Sequence, residues 1–257
     1  MRHVLSAPLV PTLLLCVGLF WAGTDAGAQE ARLKQPAAVI ELFTSGGCAS
    51  CPPADQLFAK QADRDDVLAL AWHVDYWDYL GWRDPFGDPR FSARQRGYSK
   101  ALGEGVYTPQ VVVNGTAQAV GHREHEIARL VENAGAPFVP LQVARDGEGL
   151  RVSLGGGPAR RRAAEGAMLI LVWYDHGHEL PIDEGENAGR SIMYRNVVRE
   201  MQMLGSVRDG ALQVNLPFDV LARPEGGEAL ALLLQKMDEG RPGPIVGAAV
   251  IGDVPRG

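Results

Sequence analysis

Residues 41–55, ELFTSGGCASCPPAD, set Cys48 and Cys51 three positions apart, between an apolar run and a segment that opens on Pro52 and Pro53. No other feature restricts the chain as tightly. The run Ala37 to Phe43 (AAVIELF) is short and β-branched at its centre, which reads as a buried strand. TSGG is turn chemistry, and Ala54 to Lys60 carries helix-forming residues. Proline is tolerated in a first helical turn, where the amide it lacks has no partner anyway. The cysteine pair is therefore expected at a helix N-terminus, just after a buried strand.

The first residues bear on what such a pair can be. Arg2 and His3 form a basic n-region, Leu9 to Phe20 is nearly unbroken apolar sequence, and Ala26-Gly27-Ala28 is a small-x-small cleavage signature. The expectation is a signal peptide over 1–28, cleavage near Ala28-Gln29, and a periplasmic or secreted mature chain. The apolar stretch is shorter than the roughly 20 residues that span a bilayer, and no later segment reads as a span. Of the 3 cysteines, Cys16 leaves with the leader, so only Cys48 and Cys51 remain. That count excludes a four-cysteine zinc site within one chain and a disulfide-rich scaffold. A disulfide between the two would close a very short loop and remove little denatured-state entropy, so stabilisation is a poor reason for it. The formal net charge of −6 argues against nucleic acid, which calls for a basic patch.

Farther along, Val67 to Val74 (VLALAWHV) reads as a second buried strand containing His73. An aromatic, charged stretch punctuated by Gly and Pro follows, then a helix over Phe91 to Leu102. After Thr108-Pro109 come a strand at Gln110 to Val113, an Asn114-Gly115 turn and a partner strand at Thr116 to Val120. Asn-Gly between apolar runs is a strong hairpin signal. A helix over Arg123 to Asn133 closes the unit. Gly135, Pro137 and Pro140 mark a boundary, beyond which strand-like runs dominate: Leu141–Ala144, Leu150–Leu154, Ala167–Tyr174, Asn196–Met203, Ala211–Leu216, Leu230–Lys236 and Ile245–Ile251. Arg160 to Arg162 reads as a basic patch in a loop. The predicted organisation is an α/β domain over 29–135 followed by a β-rich, sandwich-like domain over 136–257.

Cys-x-x-Cys after a buried strand and before a helix is the thioredoxin-like arrangement. A helix N-terminus carries unpaired amides and about half an elementary positive charge, which stabilises a thiolate. Cysteines so placed can have pKa values between about 3.5 and 7.5. Cys48 is then the expected exposed nucleophile and Cys51 the deeper, resolving thiol. Thr108-Pro109 precedes a strand, where the cis-proline of such folds falls; Thr108 would offer its backbone to an incoming peptide.

IELFTSGGCASCPPAD, HVDYWDYLGWRDPF, YTPQVVVNG, GENAGR and NVVRE together resemble the DUF1223 family of secreted bacterial proteins of unknown function. The resemblance covers nearly all of the chain after residue 28. It implies a thioredoxin-like N-terminal part with an additional C-terminal domain, an exported address and no established reaction. Ala49-Ser50 between the cysteines is neither the Gly-Pro of reducing thioredoxins nor the Pro-His of a strongly oxidising relative.

The leading expectation is an exported thiol–disulfide oxidoreductase acting on protein or peptide thiols through Cys48, Cys51, Thr108 and Pro109, with no cofactor. Two alternatives stand beside it: a Cu(I) carrier using Cys48, Cys51 and His73, since copper(I) prefers soft ligands, and a binding protein with a structural disulfide. The plainer reading of His73 is a half-buried strand-end histidine bonded to Asp75 or backbone. Trp72, Tyr76, Trp77, Tyr79, Trp82 and Phe86 either line a groove beside the cysteines or pack as a local core. Asp75, Asp78, Asp84 and Asp88 read as turn caps. His122 and His125 are expected at the surface, His176 and His178 in a solvated turn. IDEGENAGR is either a docking loop or an ordered turn.

Overall fold

The apolar runs become the strands of one large sheet. The computed structural model describes residues 33–135, 139–222 and 228–252. The expected signal peptide and its cleavage site lie outside the described residues, as do 136–138 at the expected domain boundary. In chain order the elements are β1 (Leu33–Lys34), β2 (Ala38–Thr44), α1 (Pro52–Ala62), β3 (Val67–His73), α2 (Pro89–Leu102), β4 (Gln110–Val113), β5 (Ala117–Val120) and α3 (Glu124–Asn133). They continue with β6 (Leu141–Asp146), β7 (Gly149–Leu154), α4 (Pro158–Ala163), β8 (Ala167–Ile182), β9 (Arg190–Ser206), β10 (Gln213–Pro217), α5 (Phe218–Leu221), β11 (Ala229–Asp238) and β12 (Arg241–Ile251). A short 3₁₀ turn, Asp78–Leu80, lies in the aromatic stretch between β3 and α2.

The result is a mixed α/β fold with large sheets and few helices. Nine strands form one sheet in the order β1-β12-β11-β8-β9-β3-β2-β4-β5. β2 and β3 run parallel with Thr44 opposite His73, and β3 joins β9 in parallel at Ala71 and Val197. The sheet is therefore continuous across residue 136. Every residue of β2 and β3 is buried, in keeping with largely apolar strands covered on both faces. A second sheet, β10-β7-β6, packs on the β-rich end, where Leu141, Val143 and Val152 meet Leu169, Leu171 and Leu232.

Several expectations hold in detail. Asn114 and Gly115 both take positive φ, 48° and 66°, as the hairpin turn demands. The Thr108-Pro109 bond is cis. Asp88 caps α2, accepting from the Arg90 amide at 2.7 Å.

Others need correction. His176 and His178 lie on a strand, not in a turn: β8 and β9 pair along a long ladder that reaches Ile182 opposite Arg190. Ladder pairing holds this polar stretch extended although its composition lacks a strand's apolar alternation. Arg160 to Arg162 lie on α4 rather than in a loop, because Pro158 starts the helix and the Ala and Arg residues propagate it.

One feature of β2 was not anticipated. Glu41, at its centre, is fully buried and takes Arg94 of α2 at 2.7 Å, while the Tyr98 hydroxyl donates to its other oxygen. Arg94 also reaches Gln235 of β11 at 2.9 Å, so the network ties the two ends of the chain together. The Glu41 carboxylate holds the buried Arg94 guanidinium charged, against the pull of desolvation.

Candidate functional site

β2 ends at Thr44, and the chain turns through Ser45, Gly46 and Gly47 into Cys48, whose amide donates to the Ser45 carbonyl at 3.1 Å. Cys51 is the N-cap of α1: its carbonyl accepts from the amides of Ala54 and Asp55. The two cysteines form a disulfide with their Cα atoms 5.4 Å apart. The sulfurs thus sit where the helix amides concentrate positive potential. Cys48 is 1% exposed and Cys51 0%. The expected exposure of Cys48 is not found; only Ala49 and Ser50 between the cysteines reach solvent.

Cys48 is covered because distant segments converge on its loop. The Gly46 amide donates to Asp84 Oδ2 at 2.8 Å. Asn187 Nδ2 donates to the carbonyls of Gly46 and Cys48 at 2.8 and 2.9 Å, and its own carbonyl accepts from Arg190 at 3.0 Å. Asn187 belongs to the GENAGR turn between β8 and β9, so that segment is an ordered turn whose side chain holds the cysteine loop. Gly46 is required by contact as well: a Cβ there would lie 2.4 Å from the Trp82 ring.

The sulfur of Cys48 has a defined polar neighbour. The Thr108 hydroxyl lies 3.2 Å from Cys48 Sγ, and Trp77 Nε1 lies 2.7 Å from the same hydroxyl oxygen. An indole N–H can only donate. The Thr108 oxygen therefore accepts from Trp77, and its own proton is directed at the sulfur. Ser50 Oγ stands 3.5 Å from Cys48 Sγ and donates to the Thr108 carbonyl at 3.4 Å. Thr108, Cys48 and the disulfide are brought together as the motif order implied, with Pro109 next to Thr108.

On the inner side lies a polar cluster. Asp55 of α1 is 4% exposed and accepts from Thr44 Oγ1 at 2.8 Å. Burial pushes the Asp55 carboxyl up to about 7, partly offset by the charge of His73 and the Thr44 hydroxyl, with Asp84 adding to the rise. His73 is fully buried, its Nδ1 2.8 Å from Asp84 Oδ2. Burial would raise the Asp84 carboxyl too. His73 and the amides of Gly46 and Phe86 outweigh that and hold it below the usual carboxylate value. Tyr194 of β9 stacks edge-on against His73, and desolvation raises its phenol far above the ordinary value.

His73 turns to Asp84 rather than to Asp75 or the cysteines. Among the described residues no group of three or more His, Cys, Asp or Glu side chains is placed to hold a metal, and Cys48, Cys51 and His73 do not form one. The aromatic residues pack mostly as local core. Trp72 meets Phe91 and Arg94, Phe86 meets His73 and Tyr194, and only Tyr79, at 77%, stands well exposed. His122, His125, His176 and His178 are exposed. No helix among the described residues is long and apolar enough to cross a membrane.

Asn187, Asp84 and Asp55 were missed as site residues. A signal existed for Asp55, an acidic residue one turn beyond Cys51; nothing local points to Asn187, which lies 139 residues from its partner Cys48.

A polar cluster beneath a Cys-x-x-Cys disulfide on a strand–helix junction defines a cysteine-pair protein of mixed α/β fold. The chain matches the family described as protein of unknown function, DUF1223, over residues 39–235, and it belongs to that family. A crystal structure of a protein from Agrobacterium tumefaciens is similar at 33% identity and a TM-score of 0.70, covering 88% of this chain and 97% of that one. HBP35 of Porphyromonas gingivalis shares the fold at 16% identity and a TM-score of 0.54, covering 85% of this chain and 75% of that one. No curated protein matches the chain.

Proposed function

We propose that this protein is an exported thiol–disulfide oxidoreductase of thioredoxin-like design, working through Cys48 and Cys51 on protein or peptide thiols. The observation that carries the reading is the Thr108 hydroxyl aimed at Cys48 Sγ from 3.2 Å by the Trp77 indole. A structural disulfide has no use for an oriented donor on its sulfur. In the reduced state the same hydroxyl and the α1 N-terminus both favour the Cys48 thiolate, the species that reacts.

The exchange runs in two steps. A partner thiolate attacks Cys48 Sγ, forming a mixed disulfide, and Cys51 leaves as a thiolate. The partner's second thiolate then attacks its own sulfur in that bond, releasing Cys48 as a thiolate and the partner as a disulfide. The partner loses two electrons and the cysteine pair gains them; the reverse order reduces a partner disulfide and re-oxidises the pair. Thr108 and Pro109 orient the partner's backbone against the disulfide, and Asn187 fixes the loop that presents it.

The test is a trap. Cys51→Ser removes the resolving thiol, so Cys48 should accumulate mixed disulfides with a peptide disulfide probe, and Cys48→Ser should give none. Failure of Cys51→Ser to form any adduct would leave only a structural disulfide.

A further inference from the structure

Gln95 of α2 is fully buried, and both its amide hydrogens and its carbonyl oxygen are engaged. Its Nε2 lies 2.7 Å from the Tyr107 carbonyl and 2.9 Å from Gln110 Oε1, and the Tyr76 hydroxyl lies 3.0 Å from its Oε1. The backbone decides which way round the amide stands. A main-chain carbonyl can only accept, so the nitrogen faces Tyr107 and the oxygen is left for the Tyr76 hydroxyl. A buried polar network satisfied in this way is rigid, so it sets the position of whatever it holds.

What it holds is the residue before Thr108. The Tyr107 carbonyl accepts from Gln95, and the Tyr107 hydroxyl donates to Gln118 Oε1 of β5. Gln110 of β4 donates to the same Gln118 oxygen at 3.4 Å. On the far side of Thr108, Ser50 donates to the Thr108 carbonyl and the Gly121 amide donates to the Pro109 carbonyl at 2.9 Å. The Tyr107 carbonyl lies in the planar peptide unit that ends at the Thr108 Cα. A bond that fixes this carbonyl therefore fixes where the Thr108 side chain begins.

We propose that Gln95 is a positioning residue of the cysteine pair: by holding the Tyr107 carbonyl it fixes the peptide plane leading into Thr108, and so aims the Thr108 hydroxyl at Cys48 Sγ. This rests on the thiol–disulfide reading above. Gln95 acts through Thr108 rather than on the sulfur. The work is divided between two elements. Gln95 of α2 sets where the Thr108 oxygen stands, and Trp77, from the stretch before α2, donates to that oxygen and turns its proton to the sulfur. Hydrogen bonds weaken steeply once the donor angle closes, so the aim matters as much as the presence of the hydroxyl. In the reduced state that hydroxyl favours the Cys48 thiolate. A loosened aim therefore costs the reduced form stability and moves the equilibrium toward the disulfide.

The experiment equilibrates full-length protein in glutathione buffers and reads the ratio of reduced to oxidised pair. Gln95→Met keeps the length of the side chain and removes both N–H donors. It should shift the equilibrium constant toward the disulfide by about tenfold, or about 30 mV for a two-electron couple. In a Thr108→Val background there is no hydroxyl to aim, so the same substitution should leave the constant unchanged while its loss of stability persists. That pairing separates positioning from a general weakening of the fold. Gln95→Asn keeps the amide but withdraws it from Tyr107; it should shift the constant in the same sense, and it carries the test where Gln95→Met does not fold. A constant unchanged by these substitutions, or a shift undiminished in Thr108→Val, overturns the role of Gln95 while leaving exchange itself standing. A wild-type pair that glutathione does not reduce overturns both.

Discussion

Asn187 donates to the carbonyl of Cys48 at 2.9 Å across 139 residues of sequence. One amide group from the β8–β9 turn thereby closes two carbonyls of the cysteine loop, since Gly46 is its other acceptor. The β-rich half of the chain is part of the site, not an appendage to it. Asn187→Ala would take the donor from the buried Gly46 carbonyl and leave the Cys48 carbonyl with the Cys51 amide alone, a loss of about 1–3 kcal/mol. Chemical denaturation of the oxidised protein should show a loss of that order, and hydrogen exchange should accelerate at Gly46 to Cys48. Exchange rates unaltered in that loop would mean that Asn187 does not hold it.

On the proposed thiol–disulfide reading, Thr108 sets the balance between the two redox states. A hydrogen bond to a charged group contributes about 1.5–3 kcal/mol, and about 30 mV corresponds to about 1.4 kcal/mol for a two-electron couple. Thr108→Val removes the donor that favours the Cys48 thiolate, so the reduced form loses stability. The reduction potential should become more negative by about 30–60 mV. A smaller shift of the same sign is expected in Trp77→Phe, which leaves the hydroxyl in place but frees its orientation. A potential that rises in Thr108→Val would reverse the argument.

Asp55 marks the pH dependence of folding. Its carboxyl rises from the ordinary carboxylate value of 3.8 to about 7 in the fold. A group whose folded value is raised gives its full stability below the unfolded value and loses it as pH climbs through the folded one. Across that window the wild type should lose up to about 4 kcal/mol relative to Asp55→Asn, at about 1.4 kcal/mol per unit. Denaturation curves of the two proteins between pH 4 and pH 8, at roughly these limits of the window, measure the difference directly. Parallel stability profiles would show that Asp55 ionises as freely in the fold as out of it.

Much of this architecture could be read from residue order, and the reason is local. β2 and β3 announce themselves by short, largely apolar runs, and Asn114-Gly115 sets the β4–β5 hairpin because both residues tolerate positive φ. Cys51 followed by two prolines marks the start of α1. The groups that complete the site were not legible, because each is fixed by tertiary pairing. Asp84 looked like one more turn cap; it reaches Gly46 and His73 only because the stretch before α2 folds back over β3. The extension of β8 through His176 and His178 follows from its ladder with β9 rather than from apolar alternation. Glu41 passed unread as well, although a lone acid in the middle of a buried strand calls for a cation, which Arg94 supplies.

That buried pair is a separate point of fragility. Arg94→Met strands the Glu41 carboxylate in the core, a loss of about 3–5 kcal/mol. Combining it with Glu41→Gln removes the unpaired charge and should recover most of the stability. Thermal melts of the two single variants and the double variant test the coupling, which additivity of the single losses would rule out.

The reduction potential of the Cys48–Cys51 pair, measured by equilibration in glutathione buffers, tests the central claim most directly. The account predicts a value between about −270 and −120 mV, the range of working oxidoreductases. A value below about −300 mV would identify a structural disulfide and contradict it.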